Sequence, residues 1–274
     1  MPDRLGTIEA RVVFADGSAR VDRVAVEAPL ELRIVAPGAR STSTVLMRTP
    51  GEGASDEELT LGFLFTEGLI ARAADVVALR RPEGLTGDER GNVIAVELAS
   101  SVALAPAERL FYSSSSCGVC GKAAIAQLAV RGGSSASSLR IARATLGELP
   151  ARLRAAQPVF AETGGVHASA LFTADGALIA AREDVGRHNA LDKLVGWALT
   201  AGKIPLDNYV LLVSGRVSFE IVQKAVAAGL PVVAAVGAPS SLAVDLAEQF
   251  HVTLVGFLRG EAMNVYAAPM RVTD

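Results

Sequence analysis

The sequence predicts a mixed α/β protein in which a smaller α+β domain precedes a larger α/β/α domain. In the second half, short continuous apolar runs alternate with amphipathic segments at helical spacing. The first half consists mainly of short strand-like runs with turn residues between them. A Gly- and Ser-rich stretch at residues 131–138 separates the two halves. We therefore predict an N-terminal α+β domain over residues 1–138 and a second domain over residues 139–274.

The elements of the first half are four strands, one helix and a fifth strand. Ser55, with Glu58 three residues later, predicts a capping box that opens a helix ending near Gly68. Beyond these elements lie a short strand at residues 110–112 and an Ala-rich helix at residues 122–130. The five predicted strands are residues 11–14, 23–26, 30–35, 45–48 and 93–98.

The second half has the element order α-β-β-α-β-α-β-α-β. The predicted helices are residues 144–157, 188–200, 217–228 and 241–250, and the predicted strands are residues 166–172, 178–182, 209–213, 230–236 and 252–257. Continuous apolar strands between helices are typical of a sheet covered on both faces, with its last strands parallel. This element order is that of the cytidine deaminase fold, so a cytidine deaminase-like domain is predicted.

The zinc chemistry of the deaminases is nevertheless excluded by the residues at the corresponding positions. Zinc deaminases place His-x-Glu at the start of the second helix and Cys-x-x-Cys at the start of the third. Here His188 is followed by Asn189 and Ala190, and Ser214-Gly215-Arg216 precedes the third helix without a cysteine. We therefore expect no metal site in this domain.

Composition excludes several classes of protein. Hydrophobic residues make up 50% of the 274 residues and charged residues 20%, the opposite of a disordered chain. The 26 Lys and Arg against 29 Asp and Glu give a formal net charge of −3, which disfavours broad nucleic-acid binding. No apolar run is long enough to cross a membrane, and the first eleven residues lack the apolar core of a secretory signal. We therefore expect a cytoplasmic protein with neither a membrane nor a nucleic-acid partner.

Four loops of the second half are predicted to meet at the carboxyl edge of the sheet, where open α/β sheets bind ligands. Three of the loops carry an arginine, and three adjoin a helix N-terminus, which favours anions. Forked guanidinium donors match phosphate oxygens, so the four loops together predict a site for a phosphate-bearing ligand. Each loop alone has an ordinary composition. The candidate binding residues outside the last loop are Arg187, His188, Ser214, Arg216 and Ser240.

The two cysteines, Cys117 and Cys120, form a Cys-x-x-Cys motif between a predicted strand and a predicted helix. A helix N-terminus lowers the pKa of a thiol and exposes a thiolate, and Lys122 adds positive charge. A structural zinc site would need four ligands from two cysteines and three scattered histidines. A thioredoxin-like dithiol lacks its preceding βαβ unit. A thiolate that carries sulfur as a persulfide is the third alternative, and the motif alone does not decide among them.

Several segments taken together resemble one known family. The motif region from Ser115 to Gly121 and the twelve residues 182–193, Arg-Glu-Asp-Val-Gly-Arg-His-Asn-Ala-Leu-Asp-Lys, are similar to the formate dehydrogenase accessory sulfurtransferases, the FdhD family. The resemblance spans nearly the whole chain. Its other segments are Arg48-Thr49-Pro50, Gly62-Phe63-Leu64, Thr66-Glu67-Gly68, Gly165-Val166-His167, Ser214-Gly215-Arg216, Phe257-Leu258-Arg259 and Asn264-Val265-Tyr266.

The resemblance implies a cytoplasmic, homodimeric sulfur carrier required for formate dehydrogenase activity. Such a carrier takes sulfur from a cysteine desulfurase and passes it to the molybdenum cofactor, in its bis(guanine dinucleotide) form, before insertion into the formate dehydrogenase catalytic subunit. By position, Cys117 would hold the persulfide, with Cys120 as a second catalytic residue. GDP-like nucleotides would act as analogues of the bound substrate. The resemblance also implies a segment that binds the cofactor, which consists of Phe257, Leu258, Arg259, Gly260, Glu261 and Ala262.

Two other functions remain open from the residues alone. A dithiol oxidoreductase would require both cysteines for turnover, whereas a plain guanine-nucleotide-binding module would require neither. A persulfide adduct of about 32 Da on Cys117 after incubation with a desulfurase and cysteine would favour the sulfur carrier over both.

Overall fold

A computed structural model describes residues 6–37, 41–51, 53–99 and 133–274. Both cysteines, the strand predicted at residues 110–112 and the helix predicted at residues 122–130 lie outside the described residues. Within those residues the fold is mixed α/β, as predicted.

The first half forms a hairpin and a four-stranded sheet. The strands are β1 (Thr7–Val13), β2 (Ala19–Ala25), β3 (Ala28–Val35), β4 (Thr42–Arg48), β5 (Val76–Arg80) and β6 (Val93–Leu98). Strands β1 and β2 pair with each other, and the other four pair in the order β4-β3-β6-β5. Helix α1 (Ser55–Thr66) packs on this sheet, and alternate residues of β3, Leu30, Leu32 and Ile34, are buried against it. This period of two is what a half-buried strand requires.

The capping box predicted at the start of α1 is wrong. The N-cap residue is Ala54, and it makes no side-chain capping hydrogen bond. Ser55 is instead the first residue of the helix. The Glu58 carboxylate, which the capping box would have turned back to the helix start, accepts two hydrogen bonds from Arg182 at 2.6 and 2.7 Å. This charge-assisted, bidentate pair competes with the weaker capping interaction.

The second half is built on a six-stranded sheet with the order β13-β12-β11-β10-β8-β9. The strands are β8 (His167–Phe172), β9 (Leu178–Asp184), β10 (Val210–Val213), β11 (Val232–Ala235), β12 (Thr253–Arg259) and β13 (Ala262–Ala267). Strands β10, β11 and β12 are parallel to one another, as predicted. Strand β8 runs antiparallel to both of its neighbours, and β13 runs antiparallel to β12.

Helices cover both faces of this sheet. They are α2 (Arg143–Ala155), α3 (Pro158–Thr163), α4 (Arg187–Thr200), α5 (Phe219–Ala227) and α6 (Ser241–Gln249). Residues of α4, α5 and α6 share one apolar core with one face of the sheet, and residues of α2 share another core with the opposite face. The continuous apolar strands follow from this, because a strand buried on both faces has no solvent side.

One α-helix and four strands of the described residues were not predicted from the sequence. Helix α3 is short, and β13 had been interpreted as part of a loop. Strand β5, and the two-residue strands β7 (Ile141–Ala142) and β14 (Val272–Thr273), which pair with each other in parallel, were also missed. Met263 and Val265 of β13 pack against the apolar core at every second position, so an alternating pattern was present in the sequence.

The two halves pack against each other mainly through α1 and α4. The backbones of the two helices lie very close together at Gly62 and Gly196, where neither residue has room for a Cβ. Residues just before the predicted boundary contact the second half: Ser135 donates its backbone N–H to Phe250 O at 2.9 Å. The division at residue 138 stays a prediction. Among the described residues, no helix has the length and apolar character needed to cross a membrane.

Candidate functional site

The carboxyl ends of four strands meet at one edge of the six-stranded sheet. Because β8 is antiparallel to both β9 and β10, strand β9 points the same way as β10, β11 and β12. The four predicted loops therefore emerge at the same edge, as the sequence indicated. His167, the first residue of the reversed strand β8, also lies there, paired in register with Asp184.

Backbone hydrogen bonds join these loops to one another. Gly237 N donates to Gly215 O at 3.2 Å, and Phe257 N donates to Gly237 O at 3.0 Å. A Cβ added at Gly237 would lie only 2.8 Å from Gly215 O. Glycine at position 237 is thus required by the approach of two loops to each other, a reason that is independent of any ligand.

The side chains of the three predicted arginines make no hydrogen bond or ion pair in the part of the chain that is described. These residues are Arg187, Arg216 and Arg259, and the Nε atom of Arg187 is buried without a partner. By contrast, the guanidinium of Arg48 forms a buried bidentate pair with Asp56. Three guanidinium groups with unused donors at one edge of a sheet are suited to a multiply charged anion.

The pKa of His167 reflects burial and the positive charge at this edge of the sheet. Its pKa is lowered, first by burial and then by the positive charges of Arg187, His188 and Arg216, while Asp184 opposes the shift. A Cβ at Gly215 would lie 3.2 Å from His167 Nδ1, so the ring borders the second loop directly. Basic groups from two loops and one strand therefore act on the same small region.

His188, at the start of α4, contacts two residues at the start of α5. Its Nε2 atom lies 3.2 Å from Ser218 Oγ and 3.2 Å from the Glu220 carboxylate. Ser218 Oγ also donates to Glu220 Oε2 at 2.7 Å. The hydrogen bond from His188, and then that from Ser218, lower the pKa of Glu220 to about 2 against the opposing effect of burial.

Glu183 and Asp184 lie close to His188 in the sequence, but neither carboxylate is among the described contacts of its ring, which are with Ser218 and Glu220. Asp184 is fully buried and forms an ion pair with Lys193 at 2.7 Å. It also accepts hydrogen bonds from the backbone N–H groups of Thr49 at 3.1 Å and Gly186 at 2.8 Å. Neighbours in sequence face different directions here, because Asp184 ends a strand and His188 begins a helix.

The carboxylate of Glu183 also makes structural hydrogen bonds. Its carboxylate accepts the backbone N–H groups of Val159 and Phe160 at 3.0 and 2.9 Å and so caps the start of α3. Burial raises the pKa of Glu183, although these hydrogen bonds oppose the shift. The carboxylate lines a groove of about 400 Å³ that also borders Glu58 and Arg182.

Not every predicted binding residue presents its side chain at the edge. Leu258 is fully buried in the apolar core, so any contact with a ligand would involve its main chain. Ser214 Oγ accepts the backbone N–H of Ala168 at 2.9 Å, which ties β8 to the end of β10. Ser240 Oγ caps α6 by accepting the N–H of Ala243 at 3.3 Å.

The last loop is a tight turn between β12 and β13. Phe257 has a φ of +54° and leaves 42% of its surface exposed, an uncommon combination for an aromatic residue. Gly260 has a φ of +59°, and the residues of the turn, Arg259 to Ala262, are exposed. An exposed aromatic residue and an unpaired arginine in the same turn are suited to a flat base that carries phosphate.

Two residues of the site were missed from the sequence, Ser218 and Glu220. The predicted helix began at Val217, which placed both residues inside it, whereas the structure makes Ser218 the N-cap residue. A serine at an N-cap followed by a glutamate in the first turn is a signal that could have located the start of α5. In the described ranges, no group of three or more His, Cys, Asp or Glu could hold a metal ion.

Comparison with known proteins identifies the family to which the chain belongs. Residues 25–273 match the FdhD/NarQ family. The chain belongs to the FdhD/NarQ family. Relatives within it named sulfur carrier protein FdhD include those of Mycobacterium tuberculosis, 52% identical over 93% of each chain, and Nocardia farcinica, 51% identical over 92% of this chain and 89% of the relative. The relative from Streptomyces coelicolor is 49% identical over 93% and 90%.

A solved structure supports the FdhD/NarQ assignment at the level of the whole fold. It is described as that of a candidate formate dehydrogenase accessory protein from Desulfotalea psychrophila. The two chains superpose with a TM-score of 0.74 at 25% sequence identity, covering 97% of this chain and 98% of the other. The fold described above is therefore shared along the entire length of that protein.

Proposed function

We propose that this chain is a sulfur carrier that takes sulfur from a cysteine desulfurase and passes it to the molybdenum cofactor in its bis(guanine dinucleotide) form. The modified cofactor then enters the catalytic subunit of formate dehydrogenase. The observation that carries the proposal is the set of three unpaired arginines at one sheet edge, in a chain whose relatives are named sulfur carriers. Pyrophosphate groups need such donors.

The first chemical step is a transfer between two cysteines. The Cys117 thiolate attacks the terminal sulfur of the desulfurase persulfide, a new S–S bond forms, and the desulfurase cysteine leaves as its thiolate. No net oxidation or reduction occurs, because one sulfur–sulfur bond replaces another. Cys117 then carries the terminal sulfur as a persulfide.

The second step delivers that sulfur to molybdenum. Attack by the Cys120 thiolate on the sulfur atom of Cys117 forms a Cys117–Cys120 disulfide and releases hydrosulfide to the metal. The two electrons come from the dithiol, and a thiol reductant restores both cysteines. A reductant acting directly on the persulfide is the alternative route, in which Cys120 is not needed.

The substrate is held by its nucleotide arms. We assign the diphosphate of a guanine dinucleotide to Arg187, Arg216 and Arg259, with His188 beside them. We propose that the ring of Phe257, which is 42% exposed, stacks on the guanine base. The N-termini of α4, α5 and α6 at the same edge add partial positive charge.

Two further features belong to the proposal. The second half is proposed to have the cytidine deaminase-like arrangement, supported by the observed order of helices and strands and by a sheet covered on both faces. The chain is also proposed to act as a homodimer. We expect no zinc to bind, since the cysteine ligands of the deaminases are absent from Ser214-Gly215-Arg216 and Ala190 stands where their general-acid glutamate would be.

Mass spectrometry of the full chain after incubation with a cysteine desulfurase and cysteine tests sulfur transfer. A gain of about 32 Da on Cys117, the mass of one sulfur atom, is expected and should be removed by a thiol reductant. No adduct on either cysteine would contradict the carrier function and would favour a nucleotide-binding module.

The matched variants Cys117→Ala and Cys120→Ala separate the remaining alternatives. With the cysteines reduced beforehand and the reductant then removed, Cys117→Ala should lose loading and the formate dehydrogenase activity of the host, with GDP binding intact. Cys120→Ala should still load Cys117 but should release sulfur more slowly. Loading lost in both variants would favour a dithiol mechanism, and loading lost only in Cys120→Ala would reverse the two roles.

A further inference from the structure

The β1–β2 hairpin forms a two-stranded sheet of its own in the described part of the chain. Within that part, the outer edge of β1 from Glu9 to Val13 pairs with no other strand. Phe14 N donates to Ser18 O, and Val26 N donates to Gly6 O, which fixes the even-numbered residues of β1 as those that bond to β2. The backbone N–H and C=O groups of Glu9, Arg11 and Val13 therefore point away from β2, toward the outer edge.

Apolar side chains accompany this edge. Val13 is 62% exposed, and Ile8 is 41% exposed beside its exposed cross-strand partner Val24. Natural proteins usually shorten, cover or charge an edge strand, because a free edge pairs readily with another chain. The edge from Glu9 to Val13, next to the exposed side chain of Ile8, is long enough to pair.

The charges on β1 are complementary to those of a second copy of the same strand. In antiparallel pairing about a two-fold axis at Ala10, Glu9 lies opposite Arg11 of the second copy, and Arg11 lies opposite its Glu9. Ile8 then lies opposite Val12. Moving the axis to Glu9 or to Arg11, which are the neighbouring registers that keep the same backbone groups in use, places like charges opposite each other.

We propose that two copies of this chain pair antiparallel through β1, with the axis at Ala10, so that two hairpins form one four-stranded sheet. A two-fold axis makes the contact self-complementary, which is the usual geometry of a homodimer. The proposal names the surface of the homodimer proposed above and does not depend on sulfur transfer, so the two fail separately.

Charge reversal on the full chain, followed by light scattering after size-exclusion chromatography, tests this interface. The native chain should have twice the monomer mass. Arg11→Glu places a glutamate opposite Glu9 of the second copy, and Glu9→Arg places an arginine opposite Arg11. Each change should raise the dimer dissociation constant at least about tenfold, because two like-charged pairs replace two opposite ones. Circular dichroism should show native secondary structure in both variants.

The decisive measurement is the mixture of the two variants. Only in a mixed dimer does each acidic position again face a basic one, so mixing should restore the native mass. Arg20→Glu, on β2 of the same hairpin, is the matched control and should leave the dimer unchanged. A monomeric native chain, single variants that remain dimeric, a mixture that stays monomeric, or a dimer lost only in Arg20→Glu would overturn the proposal.

Discussion

Gly62 of α1 and Gly196 of α4 face each other across the contact between the two halves, and neither position has room for a Cβ. A Cβ at Gly62 would lie 1.8 Å from Asp192 O, and one at Gly196 would lie 1.9 Å from Glu58 O. Both obstacles are backbone carbonyls, which cannot move without displacing a helix. The close helix crossing is thus set by two glycines far apart in sequence.

Replacing either glycine by alanine should therefore destabilise the protein. For Gly62→Ala and Gly196→Ala we expect a loss of about 3 kcal/mol or more in the free energy of unfolding, because the helices must separate. Chemical denaturation measures it. The matched control is Gly133→Ala, where nothing lies within 4 Å of the added Cβ. Equal stability of the control and the other variants would contradict the close contact.

Lys224 should be essential to the same region of the core. Its Nζ atom donates to Thr66 Oγ1 at 2.8 Å and to the carboxylates of Glu67 and Asp192, each at 2.9 Å. Burial alone would lower the pKa of Lys224, but these two carboxylates raise it above its ordinary value. Lys224→Met should cost about 3–5 kcal/mol of unfolding free energy, because buried Asp192 loses its counter-charge.

A second variant checks that explanation of Lys224. In Lys224→Met combined with Asp192→Asn, no uncompensated charge remains at position 192, so thermal unfolding should show a smaller loss than in the single variant. A double variant less stable than Lys224→Met alone would indicate that packing, and not charge, dominates at this position.

The arginines of the sheet edge should matter for ligand binding and not for folding. Arg187→Ala, Arg216→Ala and Arg259→Ala should each weaken GDP binding by about 1.5–3 kcal/mol, the range for hydrogen bonds to charged groups. Isothermal titration calorimetry measures this. Arg90→Ala, which removes another exposed arginine, should leave binding unchanged. Unaltered binding in Arg259→Ala would place the nucleotide elsewhere.

Glu220 should give the protein a component of stability that depends on acid pH. Its folded-state pKa is about 2, below the ordinary value of 4.5. On the acid side, the contribution is therefore present at pH 4.5 and is lost as pH falls through about 2. Since the carboxylate is more than one-third exposed, we expect only about 0.5–1 kcal/mol.

The measurement is the unfolding free energy of the native protein and of Glu220→Gln at several pH values. The difference between them should shrink as pH falls below 4.5 and should disappear near pH 2. Ser218→Ala should reproduce part of this behaviour, because Ser218 also donates to the carboxylate. A difference that does not change with pH would show that the glutamate acts only by packing.

The fold was predictable wherever the pattern was periodic and apolar. The parallel strands and the helices between them follow from runs such as Val210–Val213, and the shared sheet edge follows from their order. Strand β13 was not predicted because the alternation of apolar and polar residues over Ala262–Ala267 includes few large apolar side chains. Helix α3 was not predicted because it is only six residues long, although Pro158 in its first turn is typical of a helix start.

The candidate site was predictable by residue type but not by contact. Arginines in loops at strand ends could be read from the sequence, whereas the partners of His188 come from another helix 30 residues away. The ion pair of Lys193 with Asp184 could likewise not be predicted from the sequence, because burial of both groups depends on packing between the halves. Long-range pairs of this kind arise from the tertiary fold and leave no local pattern.

The hydrogen bonds of Asp184 determine how far the protein could be shortened. The backbone N–H of Thr49, 135 residues earlier in the chain, holds the carboxylate that ends β9, and Thr49 O accepts a hydrogen bond from Lys193 at 2.9 Å. A fragment limited to residues 139–274 would lack both groups and would leave a buried carboxylate and ammonium partly unsatisfied. The arginine-bearing edge therefore cannot be isolated as a minimal binding module, even though every arginine in it belongs to that fragment.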